Sequence, residues 1–313
     1  MAWPFAINTP DMASLGFAGL PCIAVENTQA SIRATGLASQ ALDIIPPPSP
    51  VPSFEDRSPL VKISIVTAVF NRKDTIRAAI DSVQSQTYSN VEHIIQDGGS
   101  NDGTIAVVRE LATNSTHLVS GNDDGIYDAI NRGIARATGD VIGLMHSDDF
   151  FASDEVLAQV ACEFADPSVQ GVYGDLQYVA ADDPERVVRH WRSDQFTHSK
   201  LKLGWMPPHP TLFLRRDVFN TFGVYDTSFS IAADYDAILR YLAIGNIKLA
   251  YIPKVLVRMR LGGESNRSLE RILRKSREDL RAIRKNRVGG FGTLAAKNFR
   301  KLGQFIVKDN AFK

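Results

Sequence analysis

Two adjacent carboxylates, Asp148 and Asp149, follow the apolar run Val141–Met145 and precede Ser153-Asp154-Glu155, which reads as the start of a helix. The run is short enough for a buried parallel strand, so the acids stand where a strand ends. In open α/β sheets that carboxyl edge is where ligands bind. Two hard oxygen donors at such an edge suit a divalent cation carrying a phosphate-bearing substrate. The same residues would also serve to cap a turn and the following helix. The rest of the chain has to decide between the two.

Other strand ends carry chemistry of the same kind. Asn71-Arg72 follows the β-branched run Val61–Val69 and brings a guanidinium able to answer a diphosphate. Val91–Gln96 reads as a second strand, ending in the glycine-rich turn Asp97-Gly-Gly-Ser-Asn-Asp-Gly103, where a nucleotide could approach the backbone closely. A third strand, His117–Ser120, leads into Asn122-Asp123-Asp124-Gly125. Each feature alone is ordinary turn chemistry. Together they place a cation, a turn and paired carboxylates on one edge.

The elements that must position these residues alternate as βαβ. Helices are expected at 74–86 with Asp74 as cap, at Thr104–Leu111, at Ile126–Ala137 with a buried stripe Ile126, Ile130, Ile134, and from Ser153 to Phe164. Beyond Val169–Gly174 the pattern changes. Leu176–Ala180, Arg186–Trp191 and His209–Arg215 read as strands without helices between the first two, and Ala233–Ile244 reads as a helix. An α/β half is therefore followed by a mixed half in one compact domain.

Residues 1–60 are rich in Ala, Ser and Pro, end in Pro46-Pro-Pro-Ser-Pro-Val-Pro, and read as a loosely packed or disordered leader with a brief helix around 32–42. The 313 residues are 44% hydrophobic and 22% charged, with zero net charge, which argues against a wholesale nucleic-acid binder. Charge is unevenly spread. Residues 267–313 hold 14 Lys/Arg against 4 Asp/Glu, a net of +10 that leaves −10 for the remainder. Two amphipathic basic runs occupy this tail. They would either lie on an anionic membrane surface or pack on the acidic catalytic domain. Cys22 and Cys162 form no metal or disulfide spacing, and no apolar run approaches membrane-span length, so a cytoplasmic protein, peripheral on the inner face of the membrane at most, is expected.

The series ISIVTAVFNRKDTI, HIIQDGGSNDGT, NDDGIYDAINRGIARATGDVIGLMHSDDFF, HPTLFLRRDVF and AADYDAILR resembles the family 2 glycosyltransferases of GT-A fold across Val61–Ser265. The resemblance implies a GT-A domain at 61–265, with a nucleotide-binding half at 61–150 and an acceptor half at 151–265, and a helical tail at 266–313. It further implies a nucleotide-diphospho-sugar donor, Mn²⁺ or Mg²⁺, and inversion at the anomeric carbon. By motif, Thr67, Asn71, Arg72, Asp97, Asp124 and Asn131 would line the nucleotide pocket. Asp148 would reach the donor's ribose or diphosphate and Asp149 the cation; Ser147 stands where the family often has Asp.

The family's catalytic base matches Asp234, in Ala233-Asp234 where Glu-Asp is common, with Asp236 as the second choice on the acceptor side. Asp234 would alternatively cap the helix that follows. His209 matches a family histidine facing acceptor or diphosphate, and also fits a histidine packed beside prolines. Leu261–Arg267 resembles a loop closing over donor phosphates. The absence of a Gln-x-x-Arg-Trp motif and of membrane spans points to transfer of a single sugar (the EC 2.4 class), to a saccharide or lipid-linked acceptor in surface polysaccharide or glycolipid assembly. A sugar-1-phosphate nucleotidyltransferase would want a glycine-rich N-terminal loop with basic residues, which Val69-Phe-Asn-Arg72 does not supply. An inactive binding protein of the same fold is the other alternative, favoured by Ala233.

Overall fold

The computed structural model describes residues 61–261 and 269–303. The expectations for the leader 1–60, for residues 262–267 and for the chain after Gly303 lie outside the described residues.

Four strands form the parallel part of the sheet: β1 (Ile63–Val69), β2 (Val91–Asp97), β3 (Thr116–Ser120) and β4 (Val141–Leu144). Between them run α1 (Ile76–Gln84), α2 (Thr104–Leu111) and α3 (Ile126–Arg136). Side chains alternate across a strand. Val66, Ile94 and Ile142 therefore enter one core layer, while Ile65, Ile95 and Val141 enter the other. The first layer is covered by α3 and the second by α1 and α2, and all of these strand residues are essentially inaccessible.

The second half mixes directions. After β5 (Phe150–Phe151) and α4 (Val156–Glu163) come β6 (Gly171–Val179), β7 (Val187–Trp191), β8 (Phe213–Arg215) and β9 (Leu249–Arg260). The path of the sheet is β3-β2-β1-β4-β8-β6-β9-β5, with β7 beside β6. β8 lies antiparallel to both β4 and β6, so β6 runs in the direction of β4 and both end on the same edge. Four helices pack on the mixed half: α5 (His198–Lys202), α6 (Arg216–Phe222), α7 (Ala233–Leu239) and, from the basic tail, α8 (Leu269–Lys285). A last helix, α9 (Phe291–Gly303), packs on α8.

Several expectations change in physical detail. Val169–Gly174 and Leu176–Ala180 belong to one strand, β6, whose register against β9 shifts around Asp175. His209–Thr211 is a 3-10 turn and only Phe213–Arg215 is strand, because Pro208 and Pro210 offer no N–H to a ladder. α7 passes into a π turn at Arg240–Ile244. Asp74 caps nothing: α1 begins at Ile76 without a side-chain cap. Ile126 is exposed because it opens α3 at the sheet edge, ahead of the buried Ile130 and Ile134. Among the described residues, no helix is long and apolar enough to cross a membrane.

Candidate active site

The carboxyl edge of the parallel strands is built by turns that satisfy themselves. Asp97, fully buried at the end of β2, accepts hydrogen bonds from Gly99 N (2.9 Å), Ser100 N (3.1 Å) and the Ser120 hydroxyl (2.6 Å). Asn71, in the left-handed region at φ 50°, ties its loop to the same turn: its N–H donates to Ser100 Oγ, and its Oδ1 accepts from Asn101 N. Arg72 is anchored through its N–H to Thr104 Oγ1 and through its guanidinium to the Asn71 carbonyl. Gly98 leaves no room for a side chain beneath the Asp123 carboxylate, so this turn and the one after β3 meet directly. Asp124 is exposed beyond that contact.

Thr67 is placed differently. It is fully buried inside the sheet, with its hydroxyl 2.9 Å from His93 Nε2. Burial pushes the His93 imidazole down to about 4, so this pair is neutral. Asn131 also faces inward to the protein, exchanging two hydrogen bonds with the backbone of Tyr225 at 2.8 and 3.0 Å.

Past β4 the chain turns through Ser147 into the acid pair. Asp148 is half-buried, whereas Asp149 is 1% exposed. The Asp149 Oδ1 atom accepts from Arg260 N at 3.1 Å, at the end of β9; its Oδ2 is buried with no hydrogen-bond partner. Burial, with the Asp148 charge second, raises this carboxyl well above the usual carboxylate range against the opposing pull of Arg260. With Arg260 too weak to offset burial, the carboxylate oxygen left without a hydrogen bond is under-compensated. A hard divalent cation would supply the missing charge, so the residues present fit an oxygen-ligated metal. Among the described residues no group of three or more His, Cys, Asp or Glu side chains is placed to enclose an ion.

Across from this edge, Asp234 sits in the first turn of α7. Two bridges join it to the edge of the parallel strands. Tyr127, from the first turn of α3, holds its hydroxyl 2.7 Å from the Ile231 carbonyl and 3.3 Å from Asp234 Oδ1. His146, just before the acid pair, lies with its ring centroid 5.8 Å from that of His209, whose Nε2 is 2.9 Å from the Tyr225 hydroxyl. Burial lowers both imidazoles, His209 to about 4, while Asp148 and Asp234 pull His146 back up. Burial likewise raises Asp234, but the charges of His209, Lys275 and Lys297 and the N–H of Tyr235 outweigh it and hold the carboxyl below its usual value. A carboxylate kept ionised beside an imidazole is suited to accept a hydroxyl proton.

Asp236 is not brought to this cluster. Two positions along a helix turn it away from Asp234, and its fully buried carboxylate is held by Arg240 (3.2 Å), Lys285 (3.0 Å) and Asn286 (2.9 Å). The residues that pattern reading missed are those that position Asp234 from afar. Glu278, on α8, accepts hydrogen bonds from the N–H groups of Ser230, Ile231 and Ala232, the segment that enters α7. Lys297, on α9, is 3% exposed, pairs with Asp279 at 2.8 Å and rests 3.1 Å above the Tyr235 ring. A lone Glu in a basic tail gives no local signal of this. His146 is the exception, since it lies within the run that carries the acids.

The sequence profile described as Glycosyl transferase family 2 matches residues 64–229, more than half of the chain. The chain belongs to the family 2 glycosyltransferases. An uncharacterised glycosyltransferase of Mycobacterium tuberculosis is 33% identical over 180 residues, covering 57% of this glycosyltransferase and 68% of the relative. A PGL/p-HBAD biosynthesis glycosyltransferase of Mycobacterium bovis is 29% identical over 208 residues, covering 65% and 78% of the two chains. In fold, this glycosyltransferase is similar to the mannosyltransferase PcManGT of Pyrobaculum calidifontis, solved with GDP-Man and Mn²⁺, at TM-score 0.56 and 19% identity over 78% of this chain and 71% of that one. The fold is a GT-A-like α/β domain with C-terminal helices.

Proposed function

We propose that this glycosyltransferase transfers a single sugar from a nucleotide-diphospho-sugar to a saccharide or lipid-linked acceptor, with inversion and with help from a divalent cation. The observation that carries the reading is Tyr127, which lies in the first turn of α3 and holds its hydroxyl 3.3 Å from Asp234 Oδ1, together with His146, two residues before Asp148, whose ring centroid is 5.8 Å from that of His209. These contacts support a cleft in which Asp148 and Asp149 face Asp234.

In this reading Arg72 and the backbone of the 97–103 turn receive the nucleotide diphosphate, and Asp148 orients the donor. Asp149 holds the cation, Mn²⁺ or Mg²⁺, which when bound would neutralise charge on the leaving diphosphate. Asp234 takes the proton of the acceptor hydroxyl as its oxygen attacks the anomeric carbon from the face opposite the leaving group, and Tyr127 fixes the carboxylate's direction. Thr67, Asp97 and Asn131 contribute by holding β1, the turn and the Tyr225 segment in place, and Asp124 by lying where the nucleotide enters. The acceptor class draws support from the relative named for PGL/p-HBAD biosynthesis.

The tail supports a membrane surface as a partner through its outer face. Ile272, Leu273, Phe291 and Phe299 are each more than half exposed, beside the exposed Arg271, Arg274 and Arg284. Its inner face is used otherwise, with Ala282, Ile283 and Val288 in the domain core.

A melting-temperature panel of sugar nucleotides with and without Mn²⁺ tests the donor, because a bound ligand stabilises the fold by mass action. One sugar nucleotide should raise the melting temperature, more so with the ion. Asp234→Asn should keep that shift yet lose transfer, and NMR of the product should give the anomer opposite to the donor's. Retention of configuration, or full transfer by Asp234→Asn, would end this reading.

A further inference from the structure

One arginine at the carboxyl edge has no part in the chemistry proposed above. β9 runs parallel to β6, and β6 runs in the direction of β4, so Arg260, the last residue of β9, emerges on the same edge as Asp148 and Asp149. Its backbone N–H is the donor to Asp149 Oδ1 at 3.1 Å. Its guanidinium lies 5.2 Å from the ring centroid of Phe150, the residue after Asp149, in the short strand β5 that pairs with β9. Main chain and side chain of Arg260 are thus both fixed against the acid pair.

The donors of that guanidinium are spare. Arg258, two residues earlier and on the same face of β9, pairs with Glu185 at 3.1 Å. Arg260 makes no ion pair among the described residues, and its Nε is buried without a hydrogen-bond partner. Its charge reaches Asp149 but does not offset the burial of that carboxyl. A guanidinium steadied over an aromatic ring keeps its planar fork in one orientation, which suits an oxyanion that can take two parallel hydrogen bonds.

The topology says which oxyanion. In the sheet β1 lies on one side of β4 and β9 on the other, so Arg72, which follows β1, and Arg260 approach the acid pair from opposite sides. Arg72 belongs with the 97–103 turn, through its N–H to Thr104 Oγ1, whereas Arg260 belongs with Asp149. A nucleotide diphosphate that runs from the turn toward Asp149 presents its inner phosphate to Arg72. Its outer phosphate, the one that carries the sugar, then comes to Arg260.

We propose that Arg260 binds the sugar-bearing phosphate of the donor, across the acid pair from Arg72. The proposal rests on the reading that Asp149 marks the diphosphate end of the donor site. As the acceptor oxygen bonds to the anomeric carbon and its proton passes to Asp234, the carbon–oxygen bond to the leaving group breaks. Its electron pair stays on the outer phosphate, whose negative charge rises by one, and the guanidinium faces that growing charge.

The test is calorimetric titration of the full chain, with Mn²⁺ present, with ADP, CDP, GDP, UDP and dTDP and with each matching monophosphate. At least one diphosphate should bind, and more tightly than its monophosphate. Arg260→Met keeps a stem over Phe150 and removes the charge. It should weaken that diphosphate about tenfold, the worth of one charge-assisted hydrogen bond, and leave the monophosphate unchanged. Arg260→Lys should recover part of the loss, and Arg258→Met, at the arginine paired with Glu185, should cause none. An equal loss for the monophosphate or in Arg258→Met would overturn the assignment. So would a lower melting temperature of unliganded Arg260→Met with its affinities unchanged, which would leave the side chain only a packing role on Phe150. If no nucleotide of the panel binds, the donor reading fails and Arg260 with it. If a diphosphate binds equally to parent and Arg260→Met, the role of Arg260 alone fails.

Discussion

The donor edge and the acceptor side solve the same problem, holding polar groups still at a sheet edge, by different means. At the donor edge the anchors lie in the turns themselves: Asp97 binds the N–H groups two and three residues on, and Asn71 reaches the next turn. On the acceptor side the anchors come from far along the chain. Glu278 clamps residues 46–48 positions away, and Lys285 and Asn286 hold Asp236 from about 50 positions away. The first arrangement tolerates change elsewhere in the chain, while the second makes the position of Asp234 depend on the tail.

The sharpest way to break this comparison is at the buried ion pair. Lys297→Ala takes from the buried Asp279 the nearer of its two lysines, 2.8 Å away, and leaves Lys275 at 3.6 Å, so stability should drop by about 3 kcal/mol, the low end for breaking a buried pair, read by denaturant melting. A drop no larger than that of a surface lysine would mean that α9 is not part of the folded unit. Glu278→Gln should cost less, about 1–3 kcal/mol. It should also lower kcat more than the donor's KM, since it frees the segment leading to Asp234; an unchanged kcat would separate clamp from catalysis.

Acid probes both halves through one histidine each. His93 and His209 are held at about 4 by burial, against an ordinary value of 6.5. Between those values the unfolded chain binds more protons than the folded one, so stability rises with pH across that window and is lost as acid is added. The melting temperature should therefore fall from pH 6.5 toward 4, and less steeply in His93→Asn or His209→Asn. A flat profile would mean that the rings are not buried neutral. The smallest effect is expected at the exposed Arg77–Glu110 pair of the donor half, where Arg77→Ala should leave melting unchanged.

The same contrast explains what was legible in the sequence. The parallel half follows from local rules: β-branched strands, amphipathic helices and Asp/Gly turns lie within a few residues of what they organise, and Thr104–Leu111 is found where its pattern puts it. The roles of Thr67 and Asn131 were not legible, because pattern shows that a polar residue is near an edge but not which way it faces. β9 went unread, since Pro253 and Lys254 interrupt its apolar pattern and its bulged pairing with β6 breaks the alternation. Asp234 and Asp236 look equivalent along the chain. Only their partners, Tyr127 for one and Lys285 with Asn286 for the other, tell them apart. The charge excess of the tail was visible, but its inward half, with Lys297 among the most buried polar residues, was not.

The family profile ends at residue 229, one position before the Glu278 clamp begins. The matched span therefore covers the turns at the ends of β1, β2 and β4 and stops before Asp234, α8 and α9. A chimera that keeps residues 64–229 and replaces α8 and α9 should keep those turns intact while the segment entering α7 loses the Glu278 clamp.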